Sequence, residues 1–406
     1  MKTTQENSAM ASESPIRYMT EERLMMQSVA RDFALNEVAP IANKLDPIKG
    51  DIPRDLIERM GDLGFFGILI PEKFGGLGLG AFEYCLVAEE LARGWMSVAS
   101  IIARGNRFYS AVPGRTPEER HKKIALMASG RYLGAAALSE PQTGSDLSSV
   151  ACTARRDGED WIISGNKYWC TFADGADFIR VLCRMVDADG NKVGTVSVAV
   201  EKPKGELPKG VSGSPIPKIG YFGWKTWELH FDNVRVPAFS DSEADGRAFQ
   251  AAAAGLELAR AHTAARSIGL AQAALDHAMT YAKERVQFGE PISNFQAIRF
   301  KIATMATEIE AARQLMYHTC SEIDAGRPAG TLTSMAKFFA AEMAERVTSE
   351  ALQILGGAGY TTLHPIERYW RDARLTKIFE GTSEIQQRII SDRLLGKPTD
   401  RARAAS

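Results

Sequence analysis

The stretch Ile378-Phe379-Glu380-Gly381-Thr382-Ser383-Glu384-Ile385-Gln386 offers one carboxylate for proton chemistry beside a helix start that can hold an anion. Glu380 follows two apolar residues and precedes a glycine, which permits close backbone approach or an unusual dihedral. Ser383 to Gln386 fits a capping box, so a helix is expected to begin at Ser383. Its free N–H groups and the positive end of its dipole then face Gly381 and Thr382, an arrangement suited to a pyrophosphate. A carboxylate sunk among apolar neighbours is expected to have a raised pKa, as a general base for a weakly acidic proton needs. The same residues also fit a capped helix preceded by a surface glutamate.

A second chemical pattern, Gly76-x-Gly78-x-x-Ala81, matches the looser dinucleotide fingerprint. Pro71-Glu72-Lys73-Phe74 intervenes where that motif needs a tight turn, and a helix-like run from Glu83 to about Ser110 replaces the second strand. A glycine-rich connection between helices is the better reading. The cysteines (Cys85, Cys152, Cys170, Cys183, Cys320) are scattered without CxxC spacing, so reduced thiols are expected, with neither a zinc site nor a disulfide framework. The histidines are dispersed, and no metal site is expected. A net charge of −1 without a long basic run argues against nucleic acid as the main partner. Met1 to Ser14 is polar, and the longest apolar run, around Leu63 to Ile70, is broken by glycines. Neither a secretory signal nor stable membrane association is expected, and the reading is a cytoplasmic enzyme.

The elements that position these residues follow from periodicity. With 406 residues, 45% hydrophobic, two or three domains are expected. Residues 1–18 read as a disordered tail. A helix runs from Glu21 to about Ala39, ended by Pro40 and Pro47, and another opens at Ile52-Pro53. From Arg131 to Pro237, short alternating runs (Trp161-Ile162-Ile163, Phe178 to Cys183, Val193 to Val200, Trp227 to Val236) indicate a small antiparallel β domain. Beyond Ala244 the apolar spacing turns helical: Ile268 to Val286, Ile298 to Ile323, Leu332 to Ile354, then the helix from Ser383. The predicted organisation is mainly α with a central β domain. It comprises an N-terminal helical domain (19–133), a barrel-like middle β domain (134–240), a C-terminal four-helix bundle (241–396) and a polar tail (397–406).

Four stretches carry a resemblance to a known family. Ala136-Ala137-Leu138-Ser139-Glu140-Pro141-Gln142-Thr143-Gly144-Ser145-Asp146 is similar to the signature TEPxAGSD, and Gly165-Asn166-Lys167-Tyr168-Trp169-Cys170-Thr171 to GxKxWIT. Arg285-Val286-Gln287-Phe288-Gly289, with Gln296 beyond it, is the third. Gln353-Ile354-Leu355-Gly356-Gly357-Ala358-Gly359, paired with Glu380-Gly381-Thr382, is the fourth. In this order the chain resembles the acyl-CoA dehydrogenase family from about residue 20 to 395. The resemblance implies FAD as cofactor, lined by Leu138, Ser139 and Ser145, with Trp169 over one flavin face and Thr171 at its N5. It implies that Arg285, Gln296, Gln353, Gly356 and Gly357 hold the adenine half of an FAD bound mainly by a neighbouring subunit of a homotetramer. Thr382 and Glu384 would touch the same dinucleotide. Ser145, Gly381, Glu257 and Arg260 would meet the acyl-CoA, and Glu380 would be the base. Ala259 stands where some branches carry a second base. An electron-transferring flavoprotein would receive the electrons.

The chain departs from the family at Ser139, Cys170, Phe172 and the aromatic turn Gly220-Tyr221-Phe222-Gly223-Trp224-Lys225-Thr226-Trp227. A flavin oxidase or monooxygenase on the same scaffold stays open, as does a noncatalytic scaffold. Trp95 and Met96 would shorten an acyl channel. Arg104 could meet a second carboxylate on the substrate or simply pair with solvent. With His262-Thr263-Ala264-Ala265-Arg266-Ser267-Ile268-Gly269, these features resemble the branch that oxidises substituted succinyl-CoA esters, such as methylsuccinyl- or benzylsuccinyl-CoA. A short, branched or aryl-bearing acyl group is expected.

Overall fold

The computed structural model describes residues 18–239 and 248–398. The tails expected at 1–18 and 397–406 lie outside the described residues, apart from Tyr18, Lys397 and Pro398. The chain opens with α1 (Glu21–Phe33), α2 (Ala39–Leu45), α3 (Arg54–Asp62), α4 (Ala81–Gly94), α5 (Met96–Ile101), α6 (Ala103–Asn106) and α7 (Pro117–Ala128). The first helix does not stop at Pro40 as expected. A π-helical stretch, Ala34–Val38, joins α1 to α2 and leaves Pro40 in the first turn of α2, where a proline removes no intrahelical bond. The run from Glu83 to Ser110 is broken instead. An added Cβ on Gly94 would lie 2.6 Å from the Ala34 oxygen, and Trp95 leaves the helix in an extended conformation before α5 begins.

A sheet follows: β1 (Gly134–Ala137), β2 (Thr153–Asp157), β3 (Asp160–Thr171), β4 (Phe178–Val186), β5 (Lys192–Glu201), β6 (Val211–Pro215) and β7 (Thr226–Pro237). Its order is β1-β4-β2-β3-β7-β6, with β5 also paired to β4. Two pairings differ from the antiparallel expectation, since β4 runs parallel to both β1 and β2. The connections that return to β4 are long excursions through other strands, which parallel pairing requires. Alternate residues of the strands bury a core of their own, including Trp161, Ile163, Val196, Val198 and Phe231.

The last region holds α8 (Ala248–Glu284), the small hairpin β8 (Val286–Gln287) and β9 (Glu290–Pro291), α9 (Gln296–Asp324), α10 (Gly330–Leu355), α11 (Ile366–Thr376) and α12 (Ser383–Leu395). Four of these helices were expected. The fifth, α11, buries Arg368 and Asp372 along with Tyr369, and those charges hide its apolar stripe. Helices that precede and follow the sheet in the chain share one hydrophobic core, in which Tyr84, Leu86 and Leu91 of α4 join Ile268, Met316 and Met343.

Candidate active site

The sheet edge is organised by a buried ion pair. Lys167 donates to Glu140 at 2.8 Å and to the Leu138 oxygen at 2.9 Å, and both charged side chains are almost wholly shielded from solvent. Glu140 also accepts from the Ala151 and Cys152 N–H groups at 2.7 and 2.8 Å. Burial pushes its carboxyl up, but Lys167 and these N–H groups more than reverse that and hold it below the usual range. The Tyr168 N–H donates to the Ser139 oxygen at 2.8 Å. Leu138 and Ser139 are thereby brought beside the Trp169 to Thr171 stretch. Between Lys167 and Cys170 the β3–β7 register slips, and Trp169 sits in that irregularity at φ +63°. Its indole is 55% exposed, and the Thr171 hydroxyl faces that of Thr226 at 3.2 Å. Ser145 is exposed on the adjoining loop.

The base-bearing loop follows α11. Glu380 has φ +54°, an uncommon conformation for a residue with a side chain, and Gly381 has φ +87°. An added Cβ on Gly381 would also lie 2.5 Å from the Gln386 amide nitrogen, so the glycine serves both close approach and dihedral. The Gly381 oxygen is held by Lys337 at 2.7 Å and by Gln386 at 3.0 Å. The helix cap differs from the expected box. Thr382, one residue earlier, accepts from the Ile385 N–H at 3.3 Å, while Ser383 donates to Glu342 at 2.7 Å. Gln386 is absorbed by Gly381 and cannot complete the box. The Glu380 N–H makes no hydrogen bond to any described residue.

Glu380 is not in the apolar setting expected. Its side chain is 28% exposed, and Arg107 lies 3.6 Å away. Burial raises its pKa, but Arg107, Arg266, Arg104 and Lys337 together outweigh that and hold it below the ordinary glutamate range. The expected rise is therefore reversed in the free protein. Arg266 is fully buried, bonded to Ser100 at 2.6 Å and Thr263 at 2.9 Å, and lies 4.8 Å over the Phe379 ring. Lys337 has no exposure, and burial pulls its pKa down to about 8. Arg104 lies 5.4 Å from the Trp224 ring. It makes no hydrogen bond to a described residue, and its buried Nε is unpartnered. The aromatic turn is a fixed wall: Tyr221 donates its N–H to Asp372 at 2.6 Å, and Trp95 backs Gly223, where an added Cβ would lie 2.9 Å from its ring.

Glu257 and Arg260 project from α8, and the Arg260 Nε is also buried without a partner among the described residues. Arg285, Gln296, Gln353, Gly356, Gly357 and Glu384 are all exposed. None of the first five makes a hydrogen bond or ion pair to the Glu380 or Trp169 stretches. Sequence reasoning missed Arg107, Arg266, Lys337, Tyr84 and the Lys167–Glu140 tie. Arg107 follows Arg104 by three residues, and Lys337 interrupts an apolar stripe, so both left a trace. Among the described residues no group of His, Cys, Asp or Glu could hold a metal ion, and no helix is long and apolar enough to cross a membrane.

Family models for the N-terminal, middle and C-terminal domains of acyl-CoA dehydrogenase match residues 20–131, 135–234 and 246–395. An acyl-CoA dehydrogenase of Bacillus subtilis is 40% identical over 386 residues, covering 93% of this chain and 99% of its own. The (2S)-methylsuccinyl-CoA dehydrogenase of Cereibacter sphaeroides is 38% identical over 384 residues, covering 93% of this chain and 70% of its own. A chain solved in a study of the electron transferring flavoprotein of Acidaminococcus fermentans superposes with a TM-score of 0.85 at 35% identity, covering 93% of this chain and 99% of that one.

Proposed function

The chain belongs to the acyl-CoA dehydrogenase family of oxidoreductases, and from that premise we propose that it removes an α proton and a β hydride from a short acyl-CoA thioester, giving the 2-enoyl-CoA. The observation that carries this reading is Glu380, an ionised carboxylate on a rigid loop whose own N–H is free to donate. FAD fits the sheet edge. Trp169 offers an exposed face, Thr171 a hydroxyl nearby and Leu138 and Ser139 a fixed border, while an added Cβ on Gly144 would meet nothing within 4 Å. FAD bound there supplies the acceptor for the hydride.

Glu380 takes the α proton, which is barely acidic beside a thioester. Its backbone N–H donates to the thioester oxygen and stabilises the charge that develops as the proton leaves. Lys337 and Gln386 fix the peptide between Gly381 and Thr382, which anchors the loop directly after Glu380. Glu257, Arg260, Ser145 and Gly381 flank the thioester and its CoA arm. Arg285, Gln296, Gln353, Gly356 and Gly357 are offered to the FAD of a neighbouring copy in a homotetramer, with Thr382 and Glu384 on the dinucleotide of their own subunit. An electron-transferring flavoprotein takes the electrons, in keeping with the setting of the Acidaminococcus fermentans relative. The acyl group is short, branched or aryl-bearing, and the cations gathered around Glu380 favour a second carboxylate, as in a substituted succinyl-CoA.

The test is anaerobic flavin bleaching with a panel of acyl-CoA thioesters, followed by re-oxidation with electron-transferring flavoprotein or with air. Bleaching by a short-chain or succinyl-type ester, reversed faster by the flavoprotein, is the expected result. A colourless monomer, or bleaching only by octanoyl-CoA, would overturn it.

A further inference from the structure

Arg107 is the one cation within 4 Å of the Glu380 carboxylate among the described residues, and its contact at 3.6 Å is loose. Its remaining bond, to the Gly255 oxygen, is 3.3 Å long. Around this pair the helices present polar groups in excess. Tyr84 of α4 is fully buried, yet its hydroxyl has no partner among the described residues. The charges of Arg107 and Glu380 both act on that hydroxyl, and its ring stacks on the buried His262 of α8 at 4.6 Å. Arg104 of α6 makes no hydrogen bond or ion pair to a described residue, and its Nε is buried without a partner among them. Arg266 is spent on Ser100 and Thr263, and Lys337 on the Gly381 oxygen. Arg260 of α8 and Tyr221 of the aromatic turn complete the groups whose charges couple to Glu380.

A plain alkyl chain would leave the Tyr84 hydroxyl and Arg104 unpaired in a site from which its own binding excludes water, and buried polar groups without partners are destabilising. An anionic group would pair with them. In a four-carbon dicarboxylic acyl group the distal carboxylate lies only two carbons beyond the α carbon. It therefore comes close to the base and to the cation that the base touches.

We propose that Arg107 is a substrate-operated restraint on the base. A second acyl carboxylate, seated between Arg107, Arg104 and the Tyr84 hydroxyl, draws Arg107 from Glu380 and releases the carboxylate to take the α proton. An adjacent guanidinium makes a carboxylate a weaker base, and losing that neighbour makes it a stronger one. The restraint thus couples recognition to reactivity: the group that identifies the substrate also arms the base. This rests on Glu380 acting as the base of the dehydrogenation proposed above.

The experiment measures anaerobic flavin reduction in the holoenzyme against pH, with (2S)-methylsuccinyl-CoA and butyryl-CoA as probes. In the parent, the acid limb should lie roughly one pH unit higher with the dicarboxylic ester. The rate ratio should favour that ester by about tenfold or more. In Arg107→Met the two limbs should coincide and the ratio collapse, while Arg107→Lys should retain part of the separation. Coincident limbs in the parent, or an Arg107→Met variant that slows both esters equally and keeps them apart, would overturn the proposal. Should Arg107→Met fail to fold, Tyr84→Phe decides: a rise in KM for methylsuccinyl-CoA relative to butyryl-CoA supports the site, and equal changes reject it. If neither these nor any other thioester bleaches the parent, the dehydrogenase reading fails and takes this inference with it. Bleaching by butyryl-CoA with an acid limb equal to that of methylsuccinyl-CoA sinks the restraint alone.

Discussion

In the β sheet, Lys167 and Glu140 bury one charge of each sign, and backbone groups supply the remaining partners. Among the helices, one carboxylate, Glu380, faces Arg104, Arg107, Arg266 and Lys337. The first cluster is closed. Each strong donor has an acceptor, and its effect is to hold two loops in register. The second is open: among the described residues Arg104 has no acceptor and Tyr84 no partner, although both are buried deeply enough to want one. Burying a charge is costly in either place. Where the partners are complete, the group is structural; where they are missing, the molecule is waiting for something to supply them.

Three substitutions probe this contrast, in order of expected effect. Glu380→Gln removes the negative charge from the open cluster while keeping its shape. Flavin reduction should fall by roughly two to four orders of magnitude, with flavin content and acyl-CoA binding retained. A rate within tenfold of the parent would place the base elsewhere. Lys167→Met breaks the closed pair and strands Glu140, which should lower stability by about 3–5 kcal/mol in denaturant titration and release flavin. Adding Glu140→Leu should recover much of that loss, and no recovery would mean that the pair does more than neutralise itself. Lys337→Met should have the smallest effect. Its folded pKa, about 8, is below the ordinary 10.5, so between these values the unfolded chain binds more protons and the parent gains stability as pH rises. The variant lacks that gain. The Tm difference, parent minus variant, should therefore grow from about pH 8 upward, and a constant difference would show that burial does not lower the Lys337 pKa.

The order of regions was legible because each obeys a simple period. The alternating runs at Trp161, Phe178, Val193 and Trp227 fall within β3, β4, β5 and β7, and the stripes from Ile298 and Leu332 are α9 and α10. Legibility failed where a local rule was overridden. Pro40 is carried through by a π turn, Trp95 breaks a helix because Gly94 must touch Ala34, and α11 buries its charges. The base and its glycine were readable from nine adjacent residues. The cations around them were not, because they come from α6, α8 and α10 and meet only after the chain has folded. Their meeting turned the expected rise of the Glu380 pKa into a fall.

The tie between Lys167 and Glu140 joins residues 27 apart in the chain, whereas the bond from Tyr221 to Asp372 spans 151 and that from Arg368 to Asn43 spans 325. Closing a longer loop takes more entropy and waits on more of the chain. Pulse-labelled hydrogen exchange during refolding should accordingly protect β3 before α12. The half of the site that grips can therefore be finished from its own neighbourhood, early and alone. The half that reacts cannot exist until the two ends of the chain have met, so a partly folded molecule carries no working base.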